Sequence, residues 1–180
     1  MNSYSNRFDR WVFRGCLMAL ILGAATLYGA NKIVINVTES IPLGLYLIDD
    51  QGNNLNRGQV VSVCLSDDQQ GAIVKRLVTI PYGGCKEHIG RLLKVVRGVP
   101  EDQVRWTEEG VYVNGELVPN SRPLTHNKKG IQLPQLRQSV SLRQGQYVLL
   151  GTHPYSLDSR YLGIFDESRI EHKLKPLLTW

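Results

Sequence analysis

Residues 110–118, Gly-Val-Tyr-Val-Asn-Gly-Glu-Leu-Val, alternate apolar and polar side chains around an Asn-Gly pair. Asn-Gly suits the two-residue turn whose central positions both need positive φ, so the stretch predicts a tight β-hairpin. A period of two recurs along the chain. Ile33, Ile35 and Val37 face one way, and Leu45 to Ile48, Val60 to Leu65, Leu92 to Val96 and Gln146 to Gly151 read as further short strands between turn-rich segments such as 49–57. Many short strands of this kind predict a mostly β domain. Residues 66–91 are less legible, since Ala72 to Ile80 fits a helix or a strand and Pro81-Tyr82-Gly83-Gly84 is a turn. Residues 121–141, polar and carrying Pro123 and Pro134, read as a mobile insertion.

Ahead of the strands lies an apolar run. From Trp11 to Ala30 only Arg14 is charged, and twenty residues is the length of a membrane-spanning helix. Arg7, Arg10 and Arg14 against the single acidic Asp9 place the N-terminal side in the cytoplasm. The expected organisation is a cytoplasmic tip (1–10), an inner-membrane anchor (11–30) and one periplasmic domain (31–180). A cleaved secretion signal is the alternative, although Tyr28 makes Gly29-Ala30 a poor cleavage site.

The formal charge of +5 falls to +3 beyond residue 30, once three Arg and one Asp are set aside. No basic run interleaved with aromatics accompanies it, so the excess suits a surface near anionic inner-membrane lipid, and no nucleic-acid partner is expected. Cys16 lies inside the apolar run. Cys64 and Cys85 fall in the exported part, where an oxidising compartment favours a disulfide between them. The four His are scattered, so neither a metal nor another cofactor is implied.

Three stretches carry chemistry. They are Asn36-Val37-Thr38-Glu39-Ser40-Ile41-Pro42-Leu43-Gly44-Leu45-Tyr46, Leu92-Leu93-Lys94-Val95-Val96 and Ser156-Leu157-Asp158-Ser159-Arg160-Tyr161-Leu162-Gly163. In this order they resemble the boxes of the type I signal peptidases, which use a serine and a lysine, and the first box most resembles the conjugative-transfer, TraF-type branch. The resemblance covers about residues 33 to 165 and implies a signal-peptidase-like, barrel-like β domain. It also implies that Ser40 is the nucleophile and Lys94 the general base. Thr38 would join the Ser40 N–H in holding the oxyanion, Ser156 would hydrogen-bond the lysine, and Asp158 and Arg160 would pair and brace the floor of the site.

Each of these residues also has a plain structural reading. Ser40 alone is a turn serine, Thr38 a strand threonine, Lys94 an edge-strand lysine, and Asp158 with Arg160 a surface ion pair. A serine hydroxyl is a weak nucleophile that needs a base, and a lysine serves as one only when neutral. Burial supplies that neutrality, yet strand alternation sends Leu93 and Val95 to the face opposite Lys94, leaving Leu92 and Val96 beside it. Lys75, in Lys-Arg-Leu-Val before Ile80-Pro81, competes for the role. Gly98, Pro100, Asp102 and the hairpin follow Lys94 in the order that the resembled family shows after its lysine, and the resemblance therefore implies Lys94.

What the resemblance implies is a membrane-anchored serine endopeptidase acting on a pilin precursor of a conjugative type IV secretion system. Its acyl-enzyme would be open to water or to the pilin's own amino terminus, which would close a ring, with Asp158 orienting or deprotonating that amine. General signal-peptide removal, a non-enzymatic anchored part of the conjugation apparatus, and the related self-cleaving repressor fold are the rival readings.

Overall fold

Strands dominate the computed structural model, which describes residues 12–19, 23, 32–51, 54–65, 69–77 and 91–180. The chain divides into two units, Met1–Val34 and Ile35–Trp180. In the first, residues 12–19 are helical, with Val12, Phe13, Leu17 and Met18 exposed. Among the described residues no helix is long and apolar enough to cross a membrane. The expected cytoplasmic tip and most of the expected anchor lie outside the described residues.

In the second unit, β2 (Gly44–Ile48), β11 (Ile170–Thr179), β3 (Val60–Cys64), β4 (Arg91–Gly98), β9 (Gln146–Leu150) and β10 (Phe165–Asp166) lie side by side in that order, each antiparallel to the next. β1 (Ile33–Asn36), which straddles the boundary between the units, is the other end of this sheet. The sheet is open, with β1 and β10 as its edges, where a closed barrel has none. A second sheet of four strands runs β7 (Glu116–Leu117), β6 (Val111–Val113), β5 (Gln103–Trp106), β8 (Gln138–Ser141).

β9 joins the two layers. Tyr147 and Leu149 enter a core with Val61, Val63, Val96 and Phe165, while the alternate residues Val148 and Leu150 enter another with Val104, Trp106, Val111 and Val113. A strand whose two faces each meet a core reads as a continuous apolar run, as Tyr-Val-Leu-Leu does here. β4 is its neighbour and shares that burial on both faces from Leu93 to Val96.

The hairpin forms where the Asn-Gly pair places it. Asn114 and Gly115 have φ of 51° and 86°, and Val113 pairs with Glu116. Asn114 also ties the turn to the chain before β5, accepting from the Gln103 N–H at 2.9 Å and donating to Asp102 at 2.9 Å. In the ambiguous region Gln69–Leu77 is a helix, α1, and residues 66–68 and 78–90 lie outside the described ones. The expected mobile insertion is anchored. Leu124, Ile131 and Leu133 pack with Leu77 and Tyr161, the Leu124 N–H donates to the Tyr161 hydroxyl at 2.9 Å, and the segment ends in β8.

Candidate active site

The stretch from Asn36 to Tyr46 is shaped by its two ends. Asn36, 3% exposed, donates through Nδ2 to the carbonyls of Thr38, Ile41 and Pro42 at 2.9–3.1 Å, and its Oδ1 accepts from the Thr38 N–H and hydroxyl. Tyr46, nearly fully buried, donates its hydroxyl to the Pro42 carbonyl at 2.7 Å. The chain between is thus bent into a loop with its carbonyls turned inward, satisfying backbone groups that no sheet partner reaches. Gly44 completes the box at φ 151°. A Cβ there would stand 2.1 Å from the Leu178 carbonyl oxygen, so only glycine lets β11 approach.

At the crest of this loop sits Ser40, half-buried, with its Oγ 3.2 Å from the Thr38 hydroxyl and 3.4 Å from the Leu93 carbonyl oxygen, to which it donates. Thr38 gives its own proton to Asn36 and Ser40 gives its own to Leu93, so in this state the two hydroxyls lie side by side with neither proton shared between them. Thr38 must release Asn36 before it can donate to anything else.

Lys94 is 1% exposed, and its Nζ donates to the same Leu93 carbonyl oxygen at 3.1 Å. One acceptor therefore gathers the serine hydroxyl and the lysine amine. That carbonyl is available because β9 pairs with β4 only from Val95 onward. Burial lowers the Lys94 pKa from 10.5 to about 8, against the pull of Asp158 and with a smaller push from Arg160. Lys94 shares its face of β4 with Leu92 and Val96, which belong to the core of Val61, Val63 and Leu149, and Val61 of β3 stands directly across from it.

Asp158 and Arg160 form the floor. Asp158 caps the short helix α2 (Ser159–Leu162) and has no exposed side-chain surface; it accepts from the Arg160 N–H, Nε and Nη2 and from the Gly151 N–H at 2.7–3.1 Å. Arg160 spends its remaining donors on the carbonyls of Asn120, His153 and Pro154 at 2.7–2.9 Å, so all five of its N–H groups are used. A surface ion pair is excluded. The expected role of Asp158 as a base for an incoming amine also meets a buried carboxylate whose oxygens are already occupied.

Ser156 differs from expectation too. Its Oγ is buried with no hydrogen-bond partner among the described residues, whereas a bond to Lys94 was expected. Lys94 turns to Leu93 instead. Gly151 explains the crowding: a Cβ on it would lie 2.1 Å from Ser156 Oγ and 2.5 Å from the Ser40 carbonyl oxygen, which accepts from the Thr152 N–H at 2.8 Å. Sequence reading passed over Asn36, Tyr46 and Gly151 as site residues, although the first two are the ends of the box it quoted.

The competing Lys75 lies exposed on α1. Cys64 ends β3, Cys85 is outside the described residues, and Cys16 is exposed and free. Among the described residues no group of His, Cys, Asp and Glu is placed to hold a metal ion. A groove of about 420 Å³ opens beside Ser40, between Glu39, Ile41, His153 and Trp180.

A mostly β domain that brings a loop serine and a buried lysine to one carbonyl has the layout of a serine peptidase site, and sequence comparison agrees. The family described as "Signal peptidase, peptidase S26" matches residues 85–178, a span that holds Lys94, Ser156, Asp158 and Arg160 and begins after Ser40. A relative called plasmid transfer protein TraF, from Escherichia coli, is 34% identical over 91% of both chains. Conjugal transfer protein TraF of Agrobacterium tumefaciens (strain 15955) is 27% identical over 88% of both. A solved signal peptidase I from Enterococcus faecalis V583 is 19% identical, with a TM-score of 0.40 over 68% of this chain and 98% of that one. The chain belongs to the signal peptidase family, peptidase S26.

Proposed function

We propose that this protein is a serine endopeptidase with a Ser40/Lys94 dyad that removes the leader of an exported precursor, a pilin precursor in conjugative plasmid transfer. Residues 11–30 hold it in the inner membrane, with residues 31–180 on the periplasmic side and Cys64 paired with Cys85. The single observation that carries the reading is the shared Leu93 carbonyl, where Ser40 Oγ and Lys94 Nζ meet with the amine buried.

A lysine with a pKa of about 8 is neutral in about one molecule in ten at pH 7, against about one in three thousand at its ordinary 10.5. The neutral Nζ takes the Ser40 proton as that hydroxyl turns away from Leu93, and Oγ attacks the scissile carbonyl. The oxyanion is met by the Ser40 N–H and by Thr38, once Thr38 leaves Asn36. Lys94, now protonated, gives its proton to the departing amine. It then activates water, which frees the leader; where the bond cut instead lies at the C-terminal end of the pilin, Ser40 holds the pilin's own carbonyl, and the pilin's amino terminus in place of water closes a ring. Asp158 and Arg160 hold the floor.

Co-expression of the full-length chain with candidate pilin precursors, followed by intact-mass analysis, tests this. Ser40→Ala and Lys94→Ala should each abolish processing, and Lys75→Ala should not. Processing by the Lys94→Ala enzyme would refute the dyad. A product one water lighter than the linear chain would identify ring closure, and a linear mass with a free N-terminus would identify hydrolysis.

A further inference from the structure

We propose that the groove beside Ser40 is a subsite for a cationic side chain, lysine or arginine, on the polypeptide that Ser40 attacks. The proposal rests on the peptidase reading above. The groove begins at Glu39 and Ile41, the residues on either side of the nucleophile. Adjacent Cα atoms are about 3.8 Å apart, so what fills the groove belongs to a residue within about two positions of the scissile bond.

Its lining fixes the chemistry. Ile41, Pro42, Leu43 and Pro154 supply an aliphatic floor, and no lysine or arginine lines it. Trp180 is 69% exposed although its backbone N–H is held by the Leu43 carbonyl at 3.0 Å, so an anchored strand end presents an uncovered indole to the groove. The Glu39 side chain is 71% exposed and makes no hydrogen bond among the described residues. Its nearest ionisable partner is His153 Nε2 at 4.0 Å, too far for a hydrogen bond, while His153 Nδ1 takes the Tyr155 N–H at 3.2 Å.

An uncommitted carboxylate, an open indole and an aliphatic floor together fit an alkyl stem ending in a cation. The stem lies along Pro42 and Leu43, and the charge sits between Glu39 and Trp180. The rim outside the groove already does this once within the chain, for Lys128 Nζ stands 5.0 Å from the centre of the Tyr155 ring. An acidic substrate residue would meet Glu39 as a like charge.

The test uses the full-length enzyme in detergent micelles and internally quenched peptides with an Ala-x-Ala cleavage sequence behind an apolar segment. Lysine, arginine, glutamate or norleucine is placed in turn at each of the two positions on either side of the cleaved bond. At one position lysine and arginine should exceed norleucine by about tenfold in kcat/KM, the combined worth of an exposed ion pair and a cation–π contact. The preference should weaken with added salt. Glu39→Gln should bring the lysine-to-norleucine ratio close to one, and Glu39→Lys should favour glutamate there. The same peptides are titrated against the Ser40→Ala protein. Lysine-selective binding without cleavage by the intact enzyme would keep the subsite and overturn the peptidase reading. Cleavage without preference at any of the four positions, or a preference that survives both Glu39→Gln and Trp180→Leu, would overturn the subsite.

Discussion

Replacing Lys94 by methionine should end processing and yet make the protein more stable. Burial lowers the Lys94 pKa from 10.5 to about 8. With each unit worth about 1.4 kcal/mol, the folded state at pH 7 carries a penalty of about 3 kcal/mol for holding this amine charged. The sign follows from proton counting. Between pH about 8 and 10.5 the unfolded chain binds more protons at this site than the folded one, so stability rises with pH through that window and the penalty is constant below it. Methionine keeps nearly the same length, faces apolar Val61 across the ladder, and leaves Asp158 paired with Arg160. The gain should approach about 3 kcal/mol at pH 7 and fade as pH passes 10.5. Urea unfolding of the full-length protein in non-ionic detergent reads this through Trp106, which is buried with its Nε1 donating to the Ser159 carbonyl at 2.7 Å. For a slope of about 2 kcal/mol per molar urea, the midpoint should rise by about 1.5 M at pH 7. A midpoint that falls or stays in place, or a difference that does not narrow between pH 8 and 10, would refute the buried, penalised amine.

The processing rate of the native enzyme should fall about tenfold per pH unit below about 8 and level off above it, because the base works only when neutral; a flat profile from pH 6 to 9 would count against Lys94. Arg160→Lys keeps the charge but cannot reach every carbonyl that five N–H groups reach, so thermal or urea unfolding should show a loss of about 3–5 kcal/mol together with loss of processing. Gly151→Ala should abolish processing, since its methyl group would displace Ser156 and the Ser40 backbone; processing at the native rate would mean that the approach is not required. Thiol labelling of the unfolded, unreduced protein should modify Cys16 alone, and three labels per chain would reject the Cys64–Cys85 pairing.

Signals that are local in sequence were legible. Asn114-Gly115 carries the whole turn geometry in two residues, and Leu92 to Val96 is too β-branched and too short to be anything but a strand. β11 was not legible. Lys173, Lys175 and Pro176 break any alternation, and Leu177 and Leu178 are exposed, so its strand character comes from β2 and β3 beside it. Pro176 is tolerated because it lies past Leu174, the last residue paired with β3, at a shift in register against β2. In the site, side-chain types were readable, but their burial was not. One strand's alternation names Leu92 and Val96 as neighbours of Lys94 but says nothing of what other strands bring to that face, such as Val61 of β3. The Leu93 carbonyl had no sequence signal at all, since every residue but its place in the ladder offers the same acceptor.

The position of β11 governs when the site can exist. This strand is late in the chain yet lies between β2 and β3, and its end sets the serine loop by passing against Gly44 and holding Leu43 through the Trp180 N–H. During synthesis, β2 and β3 emerge more than a hundred residues before the strand that joins them. Contacts so far apart form slowly and late. A nascent chain stalled between residues 94 and 170 would carry Ser40 and Lys94 without the completed sheet. Peptidase activity therefore follows completion of the domain, and a partial chain carries no assembled site.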